Sequence, residues 1–141
     1  IEGNKKGWAR KTGVSSKYNN YETAVDVVAK NEDGLLDFNV NLNRLERISA
    51  MCLKRKVKVV MVTMPVTSYY ASLVNKSKLE KLYLSCQRIA FNNDSLMYLN
   101  LFEDKKFDNN DFYDTDHLNE KGAEKCSKIL NQFIAEDSKE L

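Results

Sequence analysis

The sequence holds one histidine, His117, and a carboxylate three residues before it, Asp114. At that spacing the carboxylate can fold back and accept from the Nδ1–H of the imidazole. The tautomer is then fixed, and Nε2 is left as a general base. The pair lies in the stretch 108–123, Asp-Asn-Asn-Asp-Phe-Tyr-Asp-Thr-Asp-His-Leu-Asn-Glu-Lys-Gly-Ala, directly before an amphipathic helix. Asn119 is placed to cap that helix. Gly122 and Ala123 keep its first turn small, so the loop bearing His117 can lie close against it. Asp116 is expected to point away from the imidazole and not to serve as the orienting acid.

On residue type alone, a lone histidine among aspartates is a surface residue of a polar loop. The order strand, acidic loop, histidine, helix argues for more. The acidic run Glu103, Asp104, Asp108, Asp111, Asp114 and Asp116 offers oxygen ligands but lacks the glycine at position six and the glutamate at position twelve of a calcium loop. No metal and no cofactor is expected. Cys52, Cys86 and Cys126 fall on the apolar stripes of helices, without CxxC or Cys/His spacing, and read as buried free thiols.

The elements that must position His117 follow from periodicity. Leu42, Leu45, Ile48 and Cys52 recur at helical spacing across residues 39–56. The run 57–63 is β-branched and nearly continuous, as in a parallel strand covered on both faces. Pro65, the only proline, ends it and opens a loop through Tyr69 and Tyr70. Ser77 and Glu80 have capping-box spacing ahead of a helix striped by Leu79, Leu82, Tyr83, Cys86, Ile89 and Ala90. Residues 96–101 read as a second strand. The last helix, 120–135, carries Cys126, Ile129, Leu130, Phe133 and Ile134 on one face, and the tail after it is solvated.

Residues 1–35 read as an irregular arm holding Trp8, Tyr18 and Tyr21, anchored to an α/β domain over 36–141. Within the arm, 24–29 fits a short strand or a helical turn equally, and 31–34 is a turn. Helix–strand–helix–strand–helix is the order of a layered α/β domain with parallel strands. In such sheets function gathers beyond the carboxyl ends of the strands, which here means 63–70, 100–104 and 108–117. Two strands are few for three amphipathic helices. The sheet reads as incomplete on its N-terminal side, with an edge open to pairing between copies.

A chain of 141 residues, 43% apolar and 30% charged, has the composition of one globular domain. Its net charge of +2 comes from bases interspersed with acids, so no nucleic-acid partner is expected. Lys5-Lys6 and Lys54-Arg55-Lys56 are basic clusters, and the second suits a helix end. There is no apolar run of 18 residues and no signal-peptide pattern, so no membrane contact is expected. A start at Ile1 suggests a processed piece.

Residues 114–123, Asp-Thr-Asp-His-Leu-Asn-Glu-Lys-Gly-Ala, resemble the last sequence block of the SGNH (GDSL-like) esterases and acyltransferases, in the form of bacterial cell-envelope members. The segment Val59-Val-Met-Val-Thr-Met-Pro65 is similar to their hydrophobic strand followed by T-x-P. The resemblance implies a three-layer parallel α/β fold and a Ser-His-Asp triad in which Asp114 and His117 supply acid and base. It also implies an acyl-ester substrate, such as one on an envelope glycan, and an envelope or extracellular location. The family's serine block has no counterpart here. Gly13-Val-Ser15-Ser16 is nearest, without a preceding apolar strand, and Ser68 is further off. The G-x-N-D block that donates to the oxyanion is also missing. The implied protein is thus the C-terminal part of an ester hydrolase or O-acyltransferase, inactive alone. The alternative is a non-catalytic module binding glycan or protein through the aromatic arm and the Tyr69-Tyr70 loop.

Overall fold

The computed structural model describes residues 2–3, 9–10, 12–33 and 37–137, with the backbone alone at 2–3 and 9–10. Trp8, Lys5, Lys6, Gly34 and the tail 138–141 lie outside the described residues. The elements are β1 (Glu2–Gly3), β2 (Ala9–Arg10), α1 (Tyr21–Asn31), α2 (Phe38–Lys54), β3 (Val59–Thr63), α3 (Ser68–Leu73), α4 (Lys76–Phe91), β4 (Leu96–Asn100), a 3-10 turn (Asn109–Asp111) and α5 (Glu120–Asp137). The protein is mixed α/β. It divides into two compact units, one of 28–64 with 74–101, the other of 1–27, 65–73 and 102–141.

The first unit is built on β3 and β4, a parallel pair in the register Val59↔Leu96 to Thr63↔Asn100. Met61, Ile89 and Leu96 form its core, and Leu42, Leu45 and Leu53 of α2 pack against it with Ala90 and Tyr98. The apolar stripe of α2 thus faces the sheet, as its spacing requires. Asp37 caps α2, its carboxylate accepting from the amides of Asn39 (2.8 Å) and Val40 (3.1 Å). At the other end Lys56 adopts φ +57. Its amide donates to Leu53 O and that of Val57 to Cys52 O, the paired bonds of a Schellman stop. The basic cluster does sit at a helix end, but a lysine occupies the left-handed position that glycine fills best.

Three local expectations are corrected. β3 is not fully buried on both faces: Met61 is buried and its four neighbours are half-buried. Asn75, not Ser77, caps α4, accepting from the amide of Lys78 at 3.1 Å. The capping-box spacing of Ser77 and Glu80 starts two residues too late. Tyr69 and Tyr70 lie in helix α3 and are half-buried, Tyr70 packing edge-on against Phe102 at 6.3 Å.

The second unit holds the histidine. Its first segment is less irregular than expected, since residues 24–29 fall inside the helix α1. Among the described residues, polar groups tie this segment to the His117 loop. Ser15 N donates to Tyr113 O (2.9 Å), and the buried Asn19 donates through Nδ2 to Asn109 O (2.8 Å) and Phe112 O (3.2 Å). Tyr18 and Tyr21 are exposed. Cys126 is buried here and Cys86 in the first unit; burial pushes both thiols up, and all three cysteines are free.

Candidate functional site: a histidine held by two aspartates

The loop before α5 is built from capping interactions. Asp108 accepts from Asn110 N (2.7 Å), and Asp111 accepts from Asp108 N (3.0 Å), a reciprocal capping box around the 3-10 turn. Asp111 is fully buried. Lys125 of α5 donates to its Oδ2, and Lys121 Nζ lies 3.7 Å from Oδ1. Burial pushes the pKa of Asp111 up, but the Lys125 bond, the Asp108 amide and the charges of Lys125 and Lys121 outweigh that and hold it below the usual carboxylate range. The backbone carbonyl of Asp111 accepts from Asn119 N at 3.0 Å.

Asn119 is the helix cap, as expected: its Oδ1 accepts from Gly122 N (3.0 Å). Its Nδ2 reaches back to Asn110 O (2.8 Å). Gly122 is indispensable to this closeness, because a Cβ built there would stand 2.0 Å from Asp111 O. The loop is thereby pressed onto the first turn of α5.

From Phe112 the chain makes a tight excursion and returns. Phe112 and Leu118 form an antiparallel bridge, and Tyr113 N donates to His117 O at 2.9 Å. Inside it, Asp114 accepts the backbone amides of Asp116 (3.3 Å) and His117 (2.8 Å). An aspartate that collects the amides two and three residues on makes the Asx turn typical of such loops. This turn brings the side chain at i+3 beside the carboxylate. His117 Nδ1 lies 3.0 Å from Asp114 Oδ1 and 3.2 Å from Oδ2. Burial raises Asp114, while the imidazole and the two amides lower it further, so it stays ionised below the usual carboxylate range.

Asp116 is the correction here. Its Oδ1 lies 3.2 Å from His117 Nδ1, on the same nitrogen as Asp114, and does not point away. The imidazole is 65% exposed, against 17% for the Asp114 side chain, so the ring's far edge is open to a reactant while its acid is sheltered. Asp114, Asp116 and His117 are also the one group whose ligand atoms, within 4.8 Å of one another, could hold a cation among the described residues. The two uses exclude each other, because a metal would need Nδ1 unprotonated, whereas both carboxylates call for an N–H there.

The segment that follows β3 meets this loop, which itself follows β4 in sequence. Thr67 N and Oγ1 both donate to Thr115 O (3.1 and 2.9 Å), and Ser68 N and Oγ donate to Asn109 Oδ1 (3.0 and 3.1 Å). Ser68 is therefore engaged with Asn109, not with His117. Ser15 stands nearer in the hydrogen-bond chain, through Tyr113 to His117, but by its backbone. None of the contacts of His117 is to a serine hydroxyl. Thr67, Thr115, Asn109, Asp111 and Asn19 were not legible as positioning residues. In sequence they look like ordinary polar loop residues, whereas Asn119 and Gly122, with their helix-start context, carried a signal.

The structure thus defines an α/β protein with a hydrogen-bonded His–Asp turn on a helix-capping loop. Residues 30–139 match the model of an uncharacterised protein family, and the chain belongs to that family. Comparison with curated proteins and with solved structures finds no match.

Proposed function

We propose that this chain carries the acid and base of a Ser-His-Asp acyl-transfer centre of SGNH type. The protein would be an ester hydrolase or O-acyltransferase of the cell envelope or its exterior, acting on acyl esters such as those of envelope glycans. Its sheet and helices would be the C-terminal part of the three-layer fold of that class. The observation that carries the reading is the Asp114 carboxylate on Nδ1 of His117, with the other ring edge open to solvent. The parallel strand pair and the contact of the segment after β3 with the His117 loop, which follows β4 in sequence, support it.

In this reaction the hydroxyl of a serine, supplied from outside the contacts of His117 described here, attacks the ester carbonyl. His117 Nε2 takes the hydroxyl proton as the new C–O bond forms. It returns that proton to the alcohol as the old C–O bond breaks, leaving an acyl-serine. Water, or the acceptor hydroxyl, then repeats the cycle in reverse. Asp114 keeps Nδ1 protonated and stabilises the transient imidazolium.

Hydrolysis of p-nitrophenyl acetate tests the base directly, since an activated ester reacts with an available imidazole without a serine. His117→Ala is expected to abolish the protein-dependent rate. Asp114→Asn should lower it by roughly tenfold or more, because the amide selects the wrong tautomer. Asp116→Asn should have the smaller effect. An unchanged rate in His117→Ala would remove the catalytic reading.

A further inference from the structure

One peptide unit links the segment after β3 to the histidine. Its carbonyl, Thr115 O, accepts from Thr67 N (3.1 Å) and from Thr67 Oγ1 (2.9 Å), which fills its two lone pairs. Thr67 and Thr115 are fully buried, so bulk water does not compete for these bonds. The Thr67 hydroxyl also accepts from Tyr70 N (3.3 Å), which leaves its proton for Thr115 O. A peptide unit is planar and trans, so a carbonyl fixed on one side aims the N–H on the other. That N–H belongs to Asp116 and donates to Asp114 Oδ1 at 3.3 Å. The same oxygen accepts from His117 N at 2.8 Å and lies 3.0 Å from His117 Nδ1. Asp116, whose Oδ1 lies 3.2 Å from Nδ1, is carried by that peptide as well. Both carboxylates on the ring nitrogen thus depend on a unit whose orientation Thr67 sets.

We infer that Thr67 is a positioning residue for the His117 base: through the Thr115–Asp116 peptide it holds Asp114 and Asp116 against Nδ1. It acts through these bonds and makes none to the ring itself. The Thr67 amide alone would leave the carbonyl free to swing about a single bond, and the hydroxyl is the second point that stops it. The bond from Asp116 N to Asp114, long at 3.3 Å, is the first that such a swing would break. Thr67 is itself steadied from both sides. Pro65 before it is buried, and α3 begins directly after it, with Ala71 N donating to Thr67 O at 3.0 Å. The consequence for ester hydrolysis rests on the acyl-transfer reading, whereas the tautomer of the ring does not.

The test compares the 1H–15N spectrum of the neutral His117 ring in wild type, Thr67→Val and Thr67→Ser, with p-nitrophenyl acetate hydrolysis measured beside it. Thr67→Val should lower the ratio of Nδ1–H to Nε2–H tautomer by roughly threefold or more, the worth of one modest hydrogen bond. The hydrolysis rate should fall with it. Thr67→Ser keeps the donor and should restore both. In an Asp114→Asn background Thr67→Val should change the ring no further, because the acceptor it steadies is gone. Should valine disturb α3, which amide exchange at Ala71 reports, Thr67→Ala removes the same donor without a branched apolar group and repeats the comparison. A wild-type tautomer ratio in a folded Thr67→Val or Thr67→Ala protein overturns the inference. So does a serine variant that behaves like valine, or a full effect of Thr67→Val in the absence of Asp114. A shifted ratio in a protein whose wild type hydrolyses no ester upholds the role of Thr67 and tells against the acyl-transfer reading alone.

Discussion

At the scale of single residues, the loop rests on carboxylates held in their ionised form. Asp114 and Asp111 both lie below the usual carboxylate range. A group with a depressed folded value contributes stability above its unfolded value, near 3.9 for aspartate, and that contribution is lost as pH falls through the folded value. The protein should therefore hold its stability from neutral pH down to about pH 4 as far as these groups decide it, and lose it below. Asp111→Asn takes the carboxylate from Lys125, which keeps its bond to Lys106 O (2.8 Å), and should cost roughly 1–3 kcal/mol at neutral pH. The same change should flatten the acid limb, which a series of thermal melts from neutral to acidic pH would show. An acid limb unchanged in the variant would count against Asp111 as its source. The Asp114–His117 pair was legible because three-residue spacing suffices for an Asx turn. Asp116 was misplaced because local spacing does not say on which side of the ring a flanking residue lies. That is settled by the Tyr113–His117 backbone bond, which closes the excursion.

At the scale of elements, the long amphipathic helices are readable and their ends only in part. The stripes of α2, α4 and α5 placed them to within a few residues, since burial of one face dominates their energetics. Caps depend on which of several neighbouring polar residues reaches the free amides, and Asn75 displaced Ser77 in that competition. Helix α3 was hidden because its six residues are too short for periodicity to register; Thr67 starts it, bonding Tyr70 N and Thr115 O with one hydroxyl. Two substitutions probe these ends in opposite directions. Gly122→Ala forces a methyl group against Asp111 O and should destabilise the protein by about 2–3 kcal/mol. Lys56→Gly relieves a left-handed lysine and should stabilise it by about 0.5–1 kcal/mol. Chemical denaturation of the two variants beside the wild type checks both signs, and a stabilising Gly122→Ala would refute the close loop–helix contact.

At the scale of the whole molecule, α/β class and parallel pairing follow from the order of elements and from the apolar run of β3. The grouping of chain segments does not. Residues 12–20 belong with the His117 loop through Ser15 and Asn19, bonds that span some ninety positions and leave no periodic trace. The polar network that seats the loop therefore comes from three separate stretches of sequence, while the chemistry it positions comes from one. Asn19→Ala should loosen that seat at a cost of roughly 1–3 kcal/mol, and the loss should appear in amide exchange at Phe112 and Tyr113 before it appears in β3. Uniform loosening of both units would mean that Asn19 serves general stability instead.

The central claim is that Asp114 holds His117 with its proton on Nδ1 and leaves Nε2 as a base. Long-range 1H–15N correlation of the His117 ring, recorded where the imidazole is neutral, measures this directly. The expected spectrum shows Nδ1 protonated and Nε2 bare, with Asp114→Asn abolishing that preference and Asp116→Asn largely keeping it. A ring protonated on Nε2, or one whose tautomer ignores Asp114→Asn, would contradict the account.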